Sequence, residues 1–218
     1  MYTLWIANKT YSSWSLRPWL LLKALNIAFN EQLSYFEHGK SSREKFRAFS
    51  PSGLVPCLID GNTTVWDSLA IAEYIAEDHA QVWPSDKTAR AWARSSTAEM
   101  HSGFATIRSM CPMNCLIRTE LDEITPELQS DIDRIDALWS EGLTRFGGEW
   151  LAGDTFTAVD AFYAPVAFRA KTYGLKFSAI SQGWIDRMLK LPAMVEWVEA
   201  AEKELKNKSL IHADINSQ

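Results

Sequence analysis

Leu54-Val55-Pro56-Cys57-Leu58-Ile59-Asp60-Gly61-Asn62-Thr63-Thr64-Val65-Trp66-Asp67-Ser68 is the stretch that decides the fold. Cys57-Leu58-Ile59 and Thr63-Thr64-Val65-Trp66 read as two short strands around the Asp60-Gly61-Asn62 turn. A helix starts at Asp67-Ser68 and carries Leu69, Ile71, Ala72, Tyr74 and Ile75 on its buried side. An acid and a hydroxyl at a helix N-terminus, beside backbone N–H groups lacking intrahelical partners, suit the ammonium and carboxylate of an amino acid together. Pro56 at the head of a strand predicts a cis bond that leaves the preceding backbone exposed and rigid. Together these elements read as a peptide-binding edge; either alone is an ordinary hairpin or an N-capped helix.

Upstream, Tyr2-Thr3-Leu4-Trp5-Ile6-Ala7 is a buried-strand candidate, and Asn8 to Ser13 is polar and short-chained. A helix follows through Trp14, Leu16, Trp19, Leu20 and Leu25, then a partly alternating strand from Phe29 to Phe36. Arg43 to Phe49 predicts a short helix ended by Ser50-Pro51. The order strand, helix, strand, helix, strand, strand, helix places a βαβ unit before a ββα unit, a thioredoxin-like pattern.

Three segments resemble the glutathione S-transferases, and among them the zeta and maleylacetoacetate isomerase class. Ser12-Ser13-Trp14-Ser15-Leu16-Arg17 stands where that class carries Ser-Ser-Cys-Ser-x-Arg. Ser50-Pro51-Ser52-Gly53-Leu54-Val55-Pro56 matches Asn-Pro-x-x-x-Val-Pro, and Asp67-Ser68-Leu69-Ala70-Ile71-Ala72-Glu73-Tyr74 matches Gln-Ser-Leu-Ala-Ile-x-Glu-Tyr. Trp14 replaces the class cysteine and Asp67 replaces its glutamine. The resemblance covers the N-terminal part well and the remainder in outline. It implies an α+β protein: a thioredoxin-like glutathione-binding domain at 1–80, a linker at 81–87 and an all-helical domain at 88–218.

The resemblance also implies chemistry. A glutathione enzyme must form a thiolate from a thiol of pKa near ~8.5, and lowering that value by about two units takes about 2.7 kcal/mol. One charge-assisted hydrogen bond supplies roughly 1.5–3 kcal/mol, so a hydroxyl at the first strand-to-helix turn suffices for most of it. Ser12 is the expected donor, Ser13 a backup, and Tyr11 a rival because other transferase classes use a tyrosine; two serines at a turn also serve simply as caps. Glutathione, as co-substrate, is expected to pair its cysteinyl backbone with Val55 beside Pro56, as an added strand does. Its γ-glutamyl carboxylate is assigned to Ser68, its ammonium to Asp67 and its glycine carboxylate to Lys40, which otherwise reads as a surface lysine. Tyr11, Trp14, Met100, Phe104 and Arg108 are the expected pocket for a small hydrophobic electrophile, against a bland reading of the apolar ones as core. Arg17 aligns with the class arginine, as ligand contact or structural ion pair. The expected reaction is addition of the thiolate to an electrophile; an isomerase of the maleylacetoacetate type and a non-catalytic scaffold are the alternatives.

The chain has 218 residues, 47% hydrophobic, enough for a substantial core in one large or two modest domains. A net charge of −5 with both signs interspersed argues against nucleic acid and against a polybasic membrane patch. The apolar run Pro18 to Leu22 is far short of the roughly twenty residues that span a bilayer. Three cysteines, an odd number, do not make a disulfide framework, and a reduced cytoplasmic setting fits them. Cys57 is expected buried; Cys111 and Cys115 have no zinc-like companions and are expected inert. Trp5, Trp66, Trp139 and Trp197 are expected in the core.

After the Val82-Trp83-Pro84-Ser85-Asp86 break, helices are expected over Lys87–Met110, Pro126–Phe146, Ala158–Thr172, Ile180–Leu189 and Ala193–Leu205. Thr157-Ala158-Val159-Asp160 has the form of a capping box, with Asp160 structural rather than catalytic. A homodimer is expected from the resemblance. Trp92, Met100, Phe104 and Ile107, more apolar surface than one core face requires, supply an independent motive, with Glu99 or Arg108 reaching towards the partner's glutathione.

Overall fold

The computed structural model describes residues 1–36 and 41–215, with side chains through 206. Strand β1 (Tyr2–Ile6) leads into helix α1 (Ser13–Ala24), strand β2 (Phe29–Leu33) and a single turn of helix, α2 (Arg43–Phe46). Strands β3 (Cys57–Asp60) and β4 (Thr63–Trp66) form the hairpin, and α3 (Ser68–Asp78) follows. The sheet order is β2-β1-β3-β4. Tyr2 faces Phe29 in the parallel β1–β2 pair, and Trp5 faces Cys57 in the antiparallel β1–β3 pair. This is the expected thioredoxin-like arrangement. β2 ends at Leu33, short of Phe36, and α2 is followed by turns rather than continuing to Phe49.

The rest of the described chain is helical: α4 (Lys87–Ser102), α5 (Ala105–Met110), α6 (Pro126–Phe146), α7 (Ala158–Tyr173), α8 (Ala179–Lys190) and α9 (Pro192–Ile215). The helix expected over Lys87–Met110 is therefore two. Gly103 N–H closes α4 on the Glu99 carbonyl, and Phe104 then takes a left-handed conformation (φ 57°) that starts α5 in a new direction. Pro at the first turn of α6 and Gly147 after its last residue fix both of that helix's ends.

Helix α7 is apolar nearly all round and lies at the centre, against α1 on one side and α4 and α8 on others. Its first turn is held by the expected capping box: Asp160 Oδ2 accepts the Thr157 N–H at 3.0 Å. Asp160 Oδ1 also accepts the Leu151 N–H and the Trp184 indole N–H, each at 3.0 Å, tying α7 to α8 and to the loop before it. Trp139 stacks on Phe177 at 5.1 Å and meets Trp184 at 4.4 Å, which fills the space between α6 and α8.

Trp139 and Trp197 are fully buried, as expected, but Trp66 is 45% exposed. It ends edge strand β4, and strand alternation turns it away from the face that Val65 shares with the core. Trp5 is half-buried and lies flat on Phe49 at 4.1 Å, on the outer face of the sheet. The apolar excess invoked for a dimer is likewise absorbed within one subunit. Met100, Phe104 and Ile107 are 2%, 7% and 1% exposed, and Trp92 packs on Phe146. Among the described residues no helix is long and apolar enough to cross a membrane.

Candidate functional site

A cleft of about 410 Å³ opens where the first strand-to-helix turn meets the β3–β4 hairpin. Val55, Pro56, Asp67, Ser68 and Trp14 all line it, with Leu54 and Trp66 on its rim. The Val55–Pro56 bond is cis, as expected. The approach to it requires Gly53: φ is +66°, and an added Cβ would stand 2.7 Å from the Arg43 carbonyl oxygen. Lys40 lies outside the described residues.

Asp67 also sits at positive φ (75°), immediately before α3. Its Oδ1 accepts the N–H groups of Leu69 at 2.8 Å and Ala70 at 3.4 Å, so the residue caps its own helix. Its Oδ2 lies 3.3 Å from His101 Nε2, a contact from α4 across to the hairpin domain. Burial pushes the His101 pKa down, Asp67 draws it up, and Arg17 and Arg108 add to the lowering. Ser68 is 1% exposed and its Oγ has no partner among the described residues, although it borders the cleft. A buried hydroxyl at a helix start with nothing to bond is unusual in a folded core.

Ser12 is 5% exposed, and its hydroxyl donates to Ser15 Oγ at 2.7 Å. Ser15 Oγ also accepts the Ala7 N–H at 3.2 Å, which ties the end of β1 to the start of α1. Ser12 thus stands behind the cleft wall rather than on it. Ser13 is the first residue of α1 and half-buried, while Tyr11 is 49% exposed. The assumed electrophile pocket is only partly assembled. Trp14 lines the cleft and Arg108 lies over its ring at 4.8 Å, but Met100 and Phe104 belong to the core of the helical part. Glu99 is held by Arg134 at 2.7 and 2.8 Å, and Arg108 donates to the carbonyls of Met100 and His101.

Arg17 is the departure with most consequence. It is 3% exposed, and its guanidinium lies 4.1 Å from the Trp14 ring and 4.9 Å from Phe162. Nε and Nη1 have no hydrogen-bond acceptor among the described residues, so the ion-pair expectation is not met. Burial, then Arg108 and Arg169, push its pKa well down. Two desolvated cation–π contacts contribute about 2 kcal/mol each. The penalty for burying an unpaired ion is several kcal/mol and the neighbouring charges are mostly cationic, so the chain alone under-compensates this charge.

A second feature carries no sequence signal. Lys9 is 4% exposed at the foot of the turn that leads to Ser12. Its N–H donates to Glu204 Oε2 at 3.1 Å, its carbonyl accepts the Trp197 indole N–H at 2.8 Å, and its Nζ pairs with Glu31. The neighbouring Thr10 carbonyl accepts the Cys115 N–H at 3.3 Å. The helical part therefore clamps the serine turn through its backbone. The three cysteines are buried as free thiols, with Cys111 pushed up to about 11 and Cys115 to about 12 by burial, so neither is a nucleophile at neutral pH.

The family model described as glutathione S-transferase, N-terminal domain, matches residues 11–78, and the model for the C-terminal domain matches residues 119–200. Glutathione S-transferase GstB of Escherichia coli K12 is 27% identical over 212 residues, spanning 89% of this chain and 96% of the relative. A probable maleylacetoacetate isomerase of Caenorhabditis elegans is 26% identical over 181 residues, spanning 82% of this chain and 81% of that protein. A Burkholderia glutathione transferase homolog solved with bound glutathione superposes with a TM-score of 0.69 at 20% identity, covering 93% of this chain and 98% of its own. That likeness establishes a shared fold.

Proposed function

The chain belongs to the glutathione S-transferase family, and on that premise we propose that it binds glutathione in the cleft between Val55 and Ser68 and adds its thiolate to an electrophile. The observation that carries the reading is the orphaned Ser68 Oγ beside Asp67, in a cleft that Val55 and Pro56 also line. These groups fit the tripeptide: Val55 offers an N–H and a carbonyl to the cysteinyl unit, as in strand addition. The Ser68 hydroxyl, unpartnered at the start of α3, donates to the γ-glutamyl carboxylate, with Asp67 facing the ammonium. Residues 1–80 serve as the glutathione-binding unit, 81–87 as linker and 88–218 as the helical unit.

Ser12 is the proposed thiolate donor. Ser15 Oγ keeps the Ala7 N–H when Ser12 swings away from it, so the exchange leaves no buried acceptor bare. The thiol proton leaves to water, the sulfur lone pair forms the bond to the electrophilic carbon, and the displaced electrons leave with the departing group or settle on the conjugate. Retention on immobilised glutathione, together with ultraviolet titration of the bound thiol in Ser12→Ala, Ser13→Ala and Tyr11→Phe, tests this assignment. The thiol pKa rises in Ser12→Ala if Ser12 donates; a rise confined to another variant transfers the role, and no retention rejects the glutathione reading. A cytoplasmic homodimer accompanies the proposal, with the exposed apolar surface of Trp66 and Leu54 available beside the cleft. Sedimentation of an active species near 24.7 kDa would reject the dimer.

A further inference from the structure

A second cavity, of about 540 Å³, lies away from the glutathione cleft and shares no lining residue with it. Ala24 and Leu25 line it at the C-terminal end of α1, Ala80 and Trp83 at the link that follows α3, and Phe156 just before α7. The two aromatic walls are fixed by their own neighbours. Phe156 is 8% exposed and meets the Trp150 ring edge-on at 5.2 Å. Trp83 is 4% exposed, with the Arg94 guanidinium 5.3 Å from its ring. Arg94 is itself held by Glu73 through bonds of 3.1 and 3.0 Å. Yet the Trp83 indole N–H has no acceptor among the described residues. Indole is a donor only, and a buried one normally finds a partner. Left bare, it keeps the cost of desolvation and gains no bond.

The lining decides what kind of molecule can satisfy that donor. No charged side chain lines the cavity. Cations on the adjoining elements are committed: Lys23 to Glu196, Arg94 to Glu73, and Arg90 to the Pro84 and Ser85 carbonyls. An ionic ligand would lose hydration there without gaining a counter-charge. An apolar body between Trp83 and Phe156 loses nothing of the kind, and one acceptor on it removes the cost of the bare N–H. The volume falls within the roughly 300–1,000 Å³ that small-molecule sites occupy. We propose that this cavity is a second binding site, for a neutral aromatic molecule of about two fused rings whose carbonyl oxygen accepts the Trp83 indole N–H. Its walls come at once from α1, the link and the segment before α7, so the occupant is held by both halves of the molecule. The proposal is independent of the glutathione reading.

The test compares 1-tetralone, a bicyclic aromatic ketone, with tetralin, the same bicycle without the oxygen, by saturation-transfer NMR and calorimetry. Each titration is run with and without excess S-hexylglutathione, which competes for the glutathione cleft and its surroundings. The wild-type protein is expected to bind 1-tetralone saturably, with a Kd below about 1 mM, whether or not S-hexylglutathione is present. Trp83→Phe keeps an aromatic wall and deletes the N–H. It is expected to lose about tenfold in affinity for 1-tetralone, the scale of one bond to a buried donor, and to stay within about twofold for tetralin. Ala80→Phe fills the cavity and is expected to abolish binding of both; it also covers the case in which Trp83→Phe fails to fold, and melting curves report folding. Absence of saturable binding in the wild type overturns the proposal. Displacement of 1-tetralone by S-hexylglutathione assigns the ketone to the cleft and overturns it too. So does an equal change for the two probes in Trp83→Phe, or undiminished binding in Ala80→Phe.

Discussion

Replacing Asp160 by alanine removes the acceptor of three buried N–H groups: Leu151, Thr157 and the Trp184 indole, each at 3.0 Å. A buried donor left without an acceptor costs about 1–3 kcal/mol, and partial relaxation keeps the sum near about 3–5 kcal/mol. For a chain of this size that lowers the melting temperature by about 10–15 °C, at about 2–4 °C per kcal/mol. Asparagine distinguishes charge from geometry. Burial raises the Asp160 pKa from 3.8 to about 6, against the pull of the donors around it. The folded pKa therefore lies above the unfolded one. The folded state holds the extra proton between these values, so stability falls as pH rises from about 4 to 6 and then levels. The shift of roughly two units corresponds to about 3 kcal/mol over that window. Urea midpoints at pH 4.5 to 7.5 should fall with pH in the wild type and stay flatter in Asp160→Asn. A loss below about 1 kcal/mol in Asp160→Ala at pH 7, or equal pH slopes in the wild type and Asp160→Asn, would refute the reasoning.

Gly142→Ala, which on an exposed helix would gain about 1 kcal/mol, is expected to destabilise strongly or prevent folding. Its Cβ would stand 2.3 Å from the Leu151 carbonyl and 2.4 Å from the Trp92 ring, and soluble yield with thermal melting checks it. His101, whose pKa is lowered below 6.5, is neutral at pH 7; on acidification it charges and pairs more firmly with Asp67. Glutathione affinity should therefore weaken as pH falls below that lowered value, and His101→Phe should flatten the profile measured by calorimetry. Glu204→Ala leaves the Lys9 N–H bare and should cost about 1–3 kcal/mol of stability. Turnover should fall with the loosened serine turn, and Glu204→Gln should restore part of both in melting and steady-state assays.

The hairpin, the cis proline and the helix carrying Ser68 were legible because their signals are local: a turn triplet, a proline before a strand, an acid and hydroxyl before an apolar face. The same holds for α6, bounded by Pro126 and Gly147, and for the Thr157–Asp160 box. The break at Phe104 was not legible, because a bulky residue has no intrinsic preference for the left-handed conformation that packing imposes on it. Trp66 was misread since composition favours burial while its position on an edge strand decides exposure. Met100 and Ile107 pack into the helical core of their own subunit, so their apolar character could not report on a partner.

The residues around the serine turn illustrate the limit more sharply. Lys9 meets Glu204 and Trp197 across separations of 195 and 188 residues, and no spacing within the turn anticipates either contact. Arg17 is visible in the sequence only as an aligned arginine. What makes it informative is the set of groups around it: two aromatic faces, two further guanidiniums, and an aspartate whose oxygens are engaged elsewhere. Lys9 has the opposite surroundings, with Glu31 beside its ammonium and Glu204 on its backbone N–H. Two buried cations thus flank one short turn, one compensated by this chain and one not. The compensated cation fixes the turn, and the uncompensated one leaves a buried charge that the described residues of this chain do not neutralise.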